Sequence, residues 1–199
     1  MAEAIETRAC GQAEGTGRPL RPAAFLDRDG VLNVDHGYAY KPEDLELIPT
    51  AAAAVRLLNE AGYYVIVVTN QSGVARGYYP EAAVSVFNAH MQKVLLADGA
   101  RIDAFYYCPH HPEGKIKELA IRCRCRKPQP GMLEQAARDW PIDRSRSFLI
   151  GDKDIDMEAA QAFHIRGVKF DIATSTLIEL VRKALTASAE PVRNAQDPI

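Results

Sequence analysis

The sequence has no long apolar run and almost no excess of charge of either sign. No apolar segment approaches the roughly 20 residues that a membrane-spanning helix requires. The formal net charge is −2, so we expect neither nucleic acid nor an anionic membrane as a partner. The first 22 residues contain acids and glycines without an apolar core, which argues against a secretory signal. We therefore expect a cytoplasmic protein, and a monomer.

Cysteine is also scarce. The chain contains Cys10, Cys108, Cys123 and Cys125. In a cytosolic protein such cysteines suggest metal ligands or free thiols before disulfides. Three of them, with His110 or His111, supply the thiolates and imidazole of a tetrahedral Zn²⁺ site, which would be structural because no position stays open. Buried free cysteines are the alternative, and spacing alone does not choose between the two histidines.

Strand-like and helix-like segments alternate along the chain without any internal repeat. Strands are predicted at 23–26, 63–69, 102–107, 147–150 and 168–170, and helices at 51–61, 81–97, 131–140, 155–163 and 175–185. Such alternation predicts one α/β domain with a doubly wound parallel sheet. We place this domain at residues 23–187, between tails at 1–22 and 188–199. No inserted segment is long enough for a large cap domain, so loops should set specificity.

The first predicted strand ends in two carboxylates. Asp27 and Asp29 occupy alternate positions, and Gly30 permits a tight turn after them. Ligands of open α/β sheets bind outside the carboxyl ends of the strands, which makes this pair a candidate site. A surface turn is the competing interpretation, because Asp and Gly are common turn residues.

Later motifs favour the site over the turn. Thr69 ends the second strand, Lys127 stands in a loop, and Asp152 follows the fourth strand. This order of Asp, Thr, Lys and Asp resembles the haloacid dehalogenase-like (HAD) phosphatase superfamily. The segments DRDGVLNVDHGY, VVTNQSGVARG, YYCPHHP, RCRCRKPQPGML and GDKDIDM resemble, more narrowly, the heptose bisphosphate phosphatases of its histidinol-phosphatase-related subfamily. The likeness covers residues 25–170 approximately.

The resemblance implies an enzyme of lipopolysaccharide heptose synthesis that removes the 7-phosphate of a sugar bisphosphate. Asp27 would be the nucleophile, since a carboxylate is ionised at neutral pH and needs no base. Asp29 would protonate the leaving oxygen and later deprotonate water. The family pattern places Mg²⁺ on Asp27, Asp152 and the backbone carbonyl of Asp29. Asp156 is a weaker ligand candidate that could instead orient Asp152 or cap a helix.

The resemblance also implies the residues that hold the substrate. Lys127 and Thr69 would bind the phosphoryl group, near the backbone N–H groups of Asn70 and Gln71, and Arg126 would bind a second phosphate or the sugar. The implied substrate-binding set is Asp35, His36, Gly37, Tyr38, Thr69, Asn70, Gln71, Ser72, Arg126, Lys127 and Lys153. The implied zinc ligands are Cys108, His110, Cys123 and Cys125, in a zinc loop at 108–125. Pinning Cys125 to zinc would fix the position of the adjacent Arg126.

Two other functions remain in view. Histidinol-phosphate phosphatase is a related activity on a similar scaffold. Arg126 would, however, interact more favourably with the second phosphate of a bisphosphate than with histidinol phosphate. A zinc-stabilised nucleic-acid-binding module using RCRCRK belongs to a different class. Its basic run is short, the net charge is negative, and no aromatic stacking platform accompanies it.

Overall fold

The described part of the protein is built on an open, six-stranded parallel sheet with helices on both faces. The computed structural model describes residues 7–9 and 18–189. The strands are β1 (Thr7–Ala9), β2 (Ala23–Leu26), β3 (Tyr64–Asn70), β4 (Ala104–Cys108), β5 (Phe148–Gly151) and β6 (Arg166–Lys169). They lie in the order β1-β4-β3-β2-β5-β6. The predicted doubly wound α/β fold is confirmed.

The helices follow the predicted positions closely. They are α1 (Ala51–Glu60), α2 (Glu81–Ala97), α3 (Gly131–Asp139), α4 (Asp154–Ala162) and α5 (Leu177–Ala189). Short 3₁₀ helices occur at Pro42–Asp44 and Arg144–Arg146. Between β2 and β3 the described chain contains only one of these short helices and α1, which leaves no room for a large cap.

Two apolar cores lie on opposite faces of the sheet. Alternate residues of one strand point to opposite faces, so Leu26 joins the core under α1, α2 and α5, whereas Phe25 joins the core under α3 and α4. Both side chains are completely buried. Burial on both faces explains why the central strands read as continuous apolar runs in the sequence.

Three local features differ from the sequence predictions. Thr50, whose residue type makes it a candidate N-cap, does occupy the N-cap position of α1, but its side chain makes no capping hydrogen bond and its hydroxyl accepts from the backbone N–H of Ile178 at 3.3 Å. Strand β1 lies inside the predicted N-terminal tail, and α5 continues to Ala189, beyond the predicted boundary at 187. Residues 18–22 of the N-terminal tail are described as well, whereas the remaining tail residues, Cys10 among them, lie outside the described part of the chain, so the domain boundaries stay predictions.

None of the described helices combines the length and apolar character that crossing a membrane would require.

The packing of α2 gives a direct test of the fold, because two valines on this helix differ in burial. Val84 is 1% exposed and belongs to the same buried cluster as Val74, Tyr79 and Tyr107, whereas Val86 is 54% exposed. Val84→Ala should lower the free energy of unfolding by about 2 kcal/mol, since it removes buried methyl groups and leaves a cavity. Val86→Ala should change it by less than about 0.5 kcal/mol. Urea denaturation of both variants measures the difference, and equal losses would contradict this packing.

Candidate active site

A cavity of about 260 Å³ opens at the carboxyl edge of the sheet. Neighbouring strands β3, β2 and β5 end here, which brings Thr69, Asp27 and Asp152 to the same edge. The predicted site residues that line the cavity are Asp27, Asp29, Asp35, Gly37, Tyr38, Thr69, Asn70, Gln71, Ser72, Arg126, Lys127 and Lys153. Tyr79 and Ile155, which were not predicted, also line it.

A buried lysine lies between two buried carboxylates. Lys127 Nζ is 2.9 Å from Asp27 Oδ1 and 2.6 Å from Asp156 Oδ1, and it donates to the carbonyl of Val68 at 2.8 Å. Burial raises the pKa of Asp27 to about 6, although Lys127 opposes this shift. Burial lowers the pKa of Lys127, but the neighbouring carboxylates of Asp27 and Asp156 outweigh this effect and hold the pKa above its usual value. Lys127 is therefore a fixed cation beside the candidate nucleophile.

Asn70 fixes the backbone on which Lys127 is presented. Its side-chain amide donates to the carbonyl of Lys127 and accepts from the N–H of the same residue, both at 3.0 Å. The backbone N–H of Gln71 donates to the carbonyl of Cys108 at 2.8 Å. This N–H, which the resemblance places near the phosphoryl group, is thus already paired with a backbone carbonyl in the described structure.

Asp29 is held by a network of donors. Its Oδ1 accepts from Arg28 Nε at 3.2 Å and from Asn33 Nδ2 at 3.0 Å, and its Oδ2 accepts from Gln71 Nε2 at 2.9 Å. The Gln71 amide also donates to Thr69 Oγ1 at 3.0 Å and accepts from the hydroxyl of Tyr79 at 2.8 Å. The candidate acid is thus connected to the candidate phosphoryl-binding threonine.

Arg28 is the important residue that sequence reasoning missed. Its side chain is completely buried, and its Nη2 donates to both carboxylate oxygens of Asp29, at 3.1 and 3.0 Å. A lone arginine is usually a surface residue. The available signal was its position between two carboxylates at the end of an apolar strand.

Asp152 has the surroundings expected of a cation ligand. Its Oδ1 is buried and has no hydrogen-bond partner in the described structure, and burial raises its pKa. Single carboxylate oxygens of Asp152, Asp27 and Asp156 lie within 4.8 Å of one another. Gly30, at φ 87°, allows the close approach, because a Cβ there would lie 2.5 Å from Asp152 Oδ2. This group of oxygens fits a hard cation such as Mg²⁺.

Asp156 is already engaged on both oxygens. Its Oδ1 contacts Lys127, and its Oδ2 accepts from the backbone N–H of Lys153 at 3.1 Å, at the start of α4. These contacts favour a role in holding Lys127 and the helix end over direct ligation of a metal.

The loop at 35–38 forms one wall of the cavity. Asp35 accepts from the N–H of Gly37 at 3.0 Å and pairs with Lys153 at 3.1 Å. Partial burial raises the pKa of Asp35, but the hydrogen bond from Gly37 and the charge of Lys153 outweigh it, so the pKa lies below its usual value. Tyr38, at φ 61°, makes an edge-to-face contact with Tyr78, with ring centroids 4.7 Å apart.

His36 lies apart from the other predicted substrate-binding residues. Its half-exposed ring is 2.9 Å from the carboxylate of Glu46, and it does not line the described cavity.

The predicted zinc ligands form a compact cluster. The sulfur atoms of Cys108, Cys123 and Cys125 lie 3.3 to 3.4 Å from one another, and His110 Nδ1 lies 3.4 Å from Cys125 Sγ. These distances exceed the ~2.05 Å of a disulfide bond. They are slightly shorter than the edge of about 3.8 Å that a tetrahedron with ~2.3 Å zinc–sulfur bonds would have. The cluster therefore fits a four-ligand zinc site.

The structure separates the two candidate histidines. His111 Nε2 is 3.1 Å from an Arg76 nitrogen, and its Nδ1 accepts from the backbone N–H of Glu113. His110 alone joins the cysteines in the described cluster. Arg126 Nη1 donates to the carbonyl of His110 at 3.4 Å, which links the cluster to the cavity wall.

Comparisons with known proteins agree with this geometry. The HAD-hydrolase-like family model matches residues 124–171. The D-glycero-β-D-manno-heptose-1,7-bisphosphate 7-phosphatase of Rhodopseudomonas palustris is 47% identical over 174 residues, covering 84% of this chain and 97% of that protein. The phosphatase of the same name from Salmonella typhi is 44% identical over 176 residues, covering 88% of each.

A solved structure shows the same architecture. The D,D-heptose 1,7-bisphosphate phosphatase of B. bronchiseptica, crystallised with magnesium and phosphate, superposes with a TM-score of 0.69. It is 27% identical and covers 83% of this chain and 99% of its own. The chain is a phosphoric monoester hydrolase of the HAD-like superfamily and belongs to the family of D-glycero-β-D-manno-heptose-1,7-bisphosphate 7-phosphatases.

Proposed function

We propose that this protein removes the 7-phosphate of D-glycero-D-manno-heptose 1,7-bisphosphate, with Asp27 as nucleophile. The observation that best supports this proposal is that Asp27, Asp29, Thr69 and Lys127 line one cavity together with residues of the loop at 35–38. The names of the relatives support the choice of substrate. The proposal includes a monomeric, cytoplasmic enzyme acting on a small molecule, with no nucleic-acid or membrane partner.

The first half-reaction transfers the phosphoryl group to Asp27. Oδ1 of Asp27 accepts from the backbone N–H of Arg28 at 2.7 Å and lies beside Lys127, so we assign Oδ2 as the attacking atom. The ammonium of Lys127 stabilises negative charge on the phosphoryl oxygens, and Thr69 Oγ1 binds the same group. The product is an aspartyl-phosphate and a heptose 1-phosphate whose leaving oxygen needs a proton.

Asp29 supplies that proton and recovers it in the second half-reaction. Its carboxyl group protonates the departing sugar oxygen, and its carboxylate then takes a proton from the water that attacks the aspartyl-phosphate. Positive side chains of Arg126 and Lys153 line the same cavity, which suits a substrate that keeps a second phosphate. Histidinol phosphate would leave one of these charges without a phosphate partner.

Mg²⁺ is the cation we assign to the carboxylates, in line with the magnesium in the B. bronchiseptica structure. The carboxylates of Asp27 and Asp152 and the backbone carbonyl of Asp29 would hold it. When bound, Mg²⁺ offsets the repulsion between these carboxylates and an anionic substrate.

Zn²⁺ is the metal we assign to Cys108, His110, Cys123 and Cys125. With four protein ligands it has no open position, so its role is structural. It would fix the chain that carries Arg126 and Lys127 to the cavity.

Substrate choice can be tested with a phosphate-release panel. We expect the wild-type protein to release one phosphate from heptose 1,7-bisphosphate and to act much more slowly on histidinol phosphate. Both anomers of the bisphosphate should be included. A clear preference for histidinol phosphate would replace the proposed substrate while leaving the phosphatase chemistry intact.

The nucleophile can be tested with Asp27→Asn. The amide cannot attack phosphorus, so phosphate release should fall below detection. The fold should persist, because Asp156 still balances the charge of Lys127. Asp154→Asn is the matched control, since Asp154 is 83% exposed and does not line the cavity. Turnover by a folded Asp27→Asn protein, checked by circular dichroism, would contradict a covalent mechanism.

Magnesium dependence can be separated from zinc content. Protein purified without Mg²⁺, with its zinc confirmed by metal analysis, should be inactive and should recover on addition of Mg²⁺. The expected cause is repulsion between the substrate and the uncompensated carboxylates of Asp27 and Asp152. Full activity in a sample verified to contain no Mg²⁺ would exclude this requirement.

The structural role of zinc can be tested with Cys125→Ser. This variant should bind less zinc, keep most of its secondary structure and lose roughly 10²-fold in activity, because misplacing Arg126 and Lys127 by about 1 Å is enough for such a loss. Added Mg²⁺ should not restore it. Cys10→Ser, at a cysteine that is not among the predicted zinc ligands, should retain zinc and activity. Wild-type protein that contains no zinc after careful purification would refute the assignment.

A further inference from the structure

Among the residues that the structure describes, Arg28 is the largest completely buried side chain, and in the sequence it lies between the two candidate catalytic aspartates. Its guanidinium is positively charged, yet other residues of the site already supply positive charge. Lys127 contacts Asp27, and Lys153 contacts Asp35. Removing a guanidinium from water is costly unless every donor finds a partner. The partners of Arg28 therefore indicate what it does.

One side of the guanidinium faces Asp29. Nε donates to Oδ1 at 3.2 Å, and Nη2 donates to Oδ1 at 3.1 Å and to Oδ2 at 3.0 Å. This planar contact restricts rotation of the carboxylate more than a single donor would, because both oxygens are held by one rigid group.

The other side faces the scaffold. Nη1 donates to Asn88 Oδ1 on α2 at 3.2 Å, Nη2 donates to the carbonyl of Ala39 at 2.9 Å, and the guanidinium carbon lies 4.3 Å from the ring centroid of Phe87. Asn88 is completely buried and does not line the cavity. It reaches Asp29 through Arg28 and has no direct contact with the cavity.

We propose that Arg28 is a positioning residue that sets the orientation of the Asp29 carboxyl group, and that Asn88 holds Arg28 in place. The inference rests on the proposed role of Asp29. When the phosphoryl group moves, a bond forms between Asp27 and phosphorus while the bond from phosphorus to the sugar oxygen breaks. That oxygen takes the proton of Asp29, so the carboxyl must lie within about 2.6–3.2 Å of it.

The demand for a proton depends on the leaving group. A sugar alkoxide is a poor leaving group and needs the proton as it departs, whereas p-nitrophenolate is stable enough to depart without it. The parameter kcat/KM covers the steps up to this departure. A defect in the orientation of Asp29 should therefore reduce kcat/KM for the sugar ester much more than for p-nitrophenyl phosphate.

Asn88→Ala tests the inference without altering the cavity wall. Gln92→Ala is the matched control, because Gln92 is a buried amide one turn further along α2 that hydrogen-bonds Ile102 and not Arg28. Both variants should lose similar thermal stability. We expect kcat/KM for heptose bisphosphate to fall about 10-fold in Asn88→Ala and to stay near wild type in Gln92→Ala, with p-nitrophenyl phosphate hydrolysis little affected in either.

Arg28→Lys and Arg28→Met extend the test. Lysine keeps the charge but lacks the planar fork, so the sugar ester should lose about 10²-fold with lysine and more with methionine. Inhibition by inorganic phosphate should stay unchanged in Asn88→Ala, which shows that the phosphoryl site is intact. Equal losses on both esters, or equal effects of Asn88→Ala and Gln92→Ala, would overturn the inference.

Failure of the proposed substrate is a separate outcome. Wild-type protein that hydrolyses p-nitrophenyl phosphate but not heptose bisphosphate would contradict the substrate alone. The same comparison would then use glycerol 3-phosphate, another alkyl ester that needs a proton on its leaving oxygen.

Discussion

The buried ammonium of Lys127 is the interaction on which the site depends. It contacts Asp27 and Asp156 and donates to the carbonyl of Val68 in β3. A buried charge of this kind is tolerated only with close partners, because a buried charge left uncompensated typically costs about 3–5 kcal/mol. Because Asp27 directly follows β2, Val68 lies in β3 and Asp156 lies in α4, one cation holds together the ends of three elements around the candidate nucleophile.

The position of this cation is set by the loop before it. Cys108 ends β4, and Cys125 stands two residues before Lys127, so the Cys/His cluster connects the sheet directly to the segment that carries this buried lysine. Asn70 supports the other end by binding the backbone of Lys127 on both its donor and acceptor sides. A long loop without regular structure thereby delivers a side chain to a fixed place, which catalysis by positioning demands.

Much of the fold and part of the site could be predicted from the sequence. Continuous apolar runs identify the central strands because both faces of these strands are buried. Polar residues directly after those runs, such as Asp27 and Thr69, identify the edge of the sheet where the candidate site lies. The predictions were weaker where distant contacts decide the outcome. The hydroxyl of Thr50 contacts Ile178 and not its own helix, and the N–H of Gln71 is taken by Cys108.

Arg28 shows the same limit at the centre of the site. Its partner Asp29 is adjacent, but Asn88 is 60 residues away, and only tertiary packing brings them together. The local sequence carries no information on such a contact, and an isolated arginine is by its residue type expected at the surface.

No large cap domain occurs among the residues that the structure describes, which places particular demands on the loops around the cavity. Without a domain that closes over the substrate, the walls must be held in place before binding. Arg28 binds the carbonyl of Ala39, adjacent to Tyr38, and thus ties the loop at 35–38 to the same guanidinium that holds Asp29. The rings of Tyr40 and Tyr79 stack with centroids 4.7 Å apart, which joins this loop to the one after β3. The candidate recognition loop and the candidate acid therefore share the support of Arg28, so a change that moves the loop should also move the Asp29 carboxyl group.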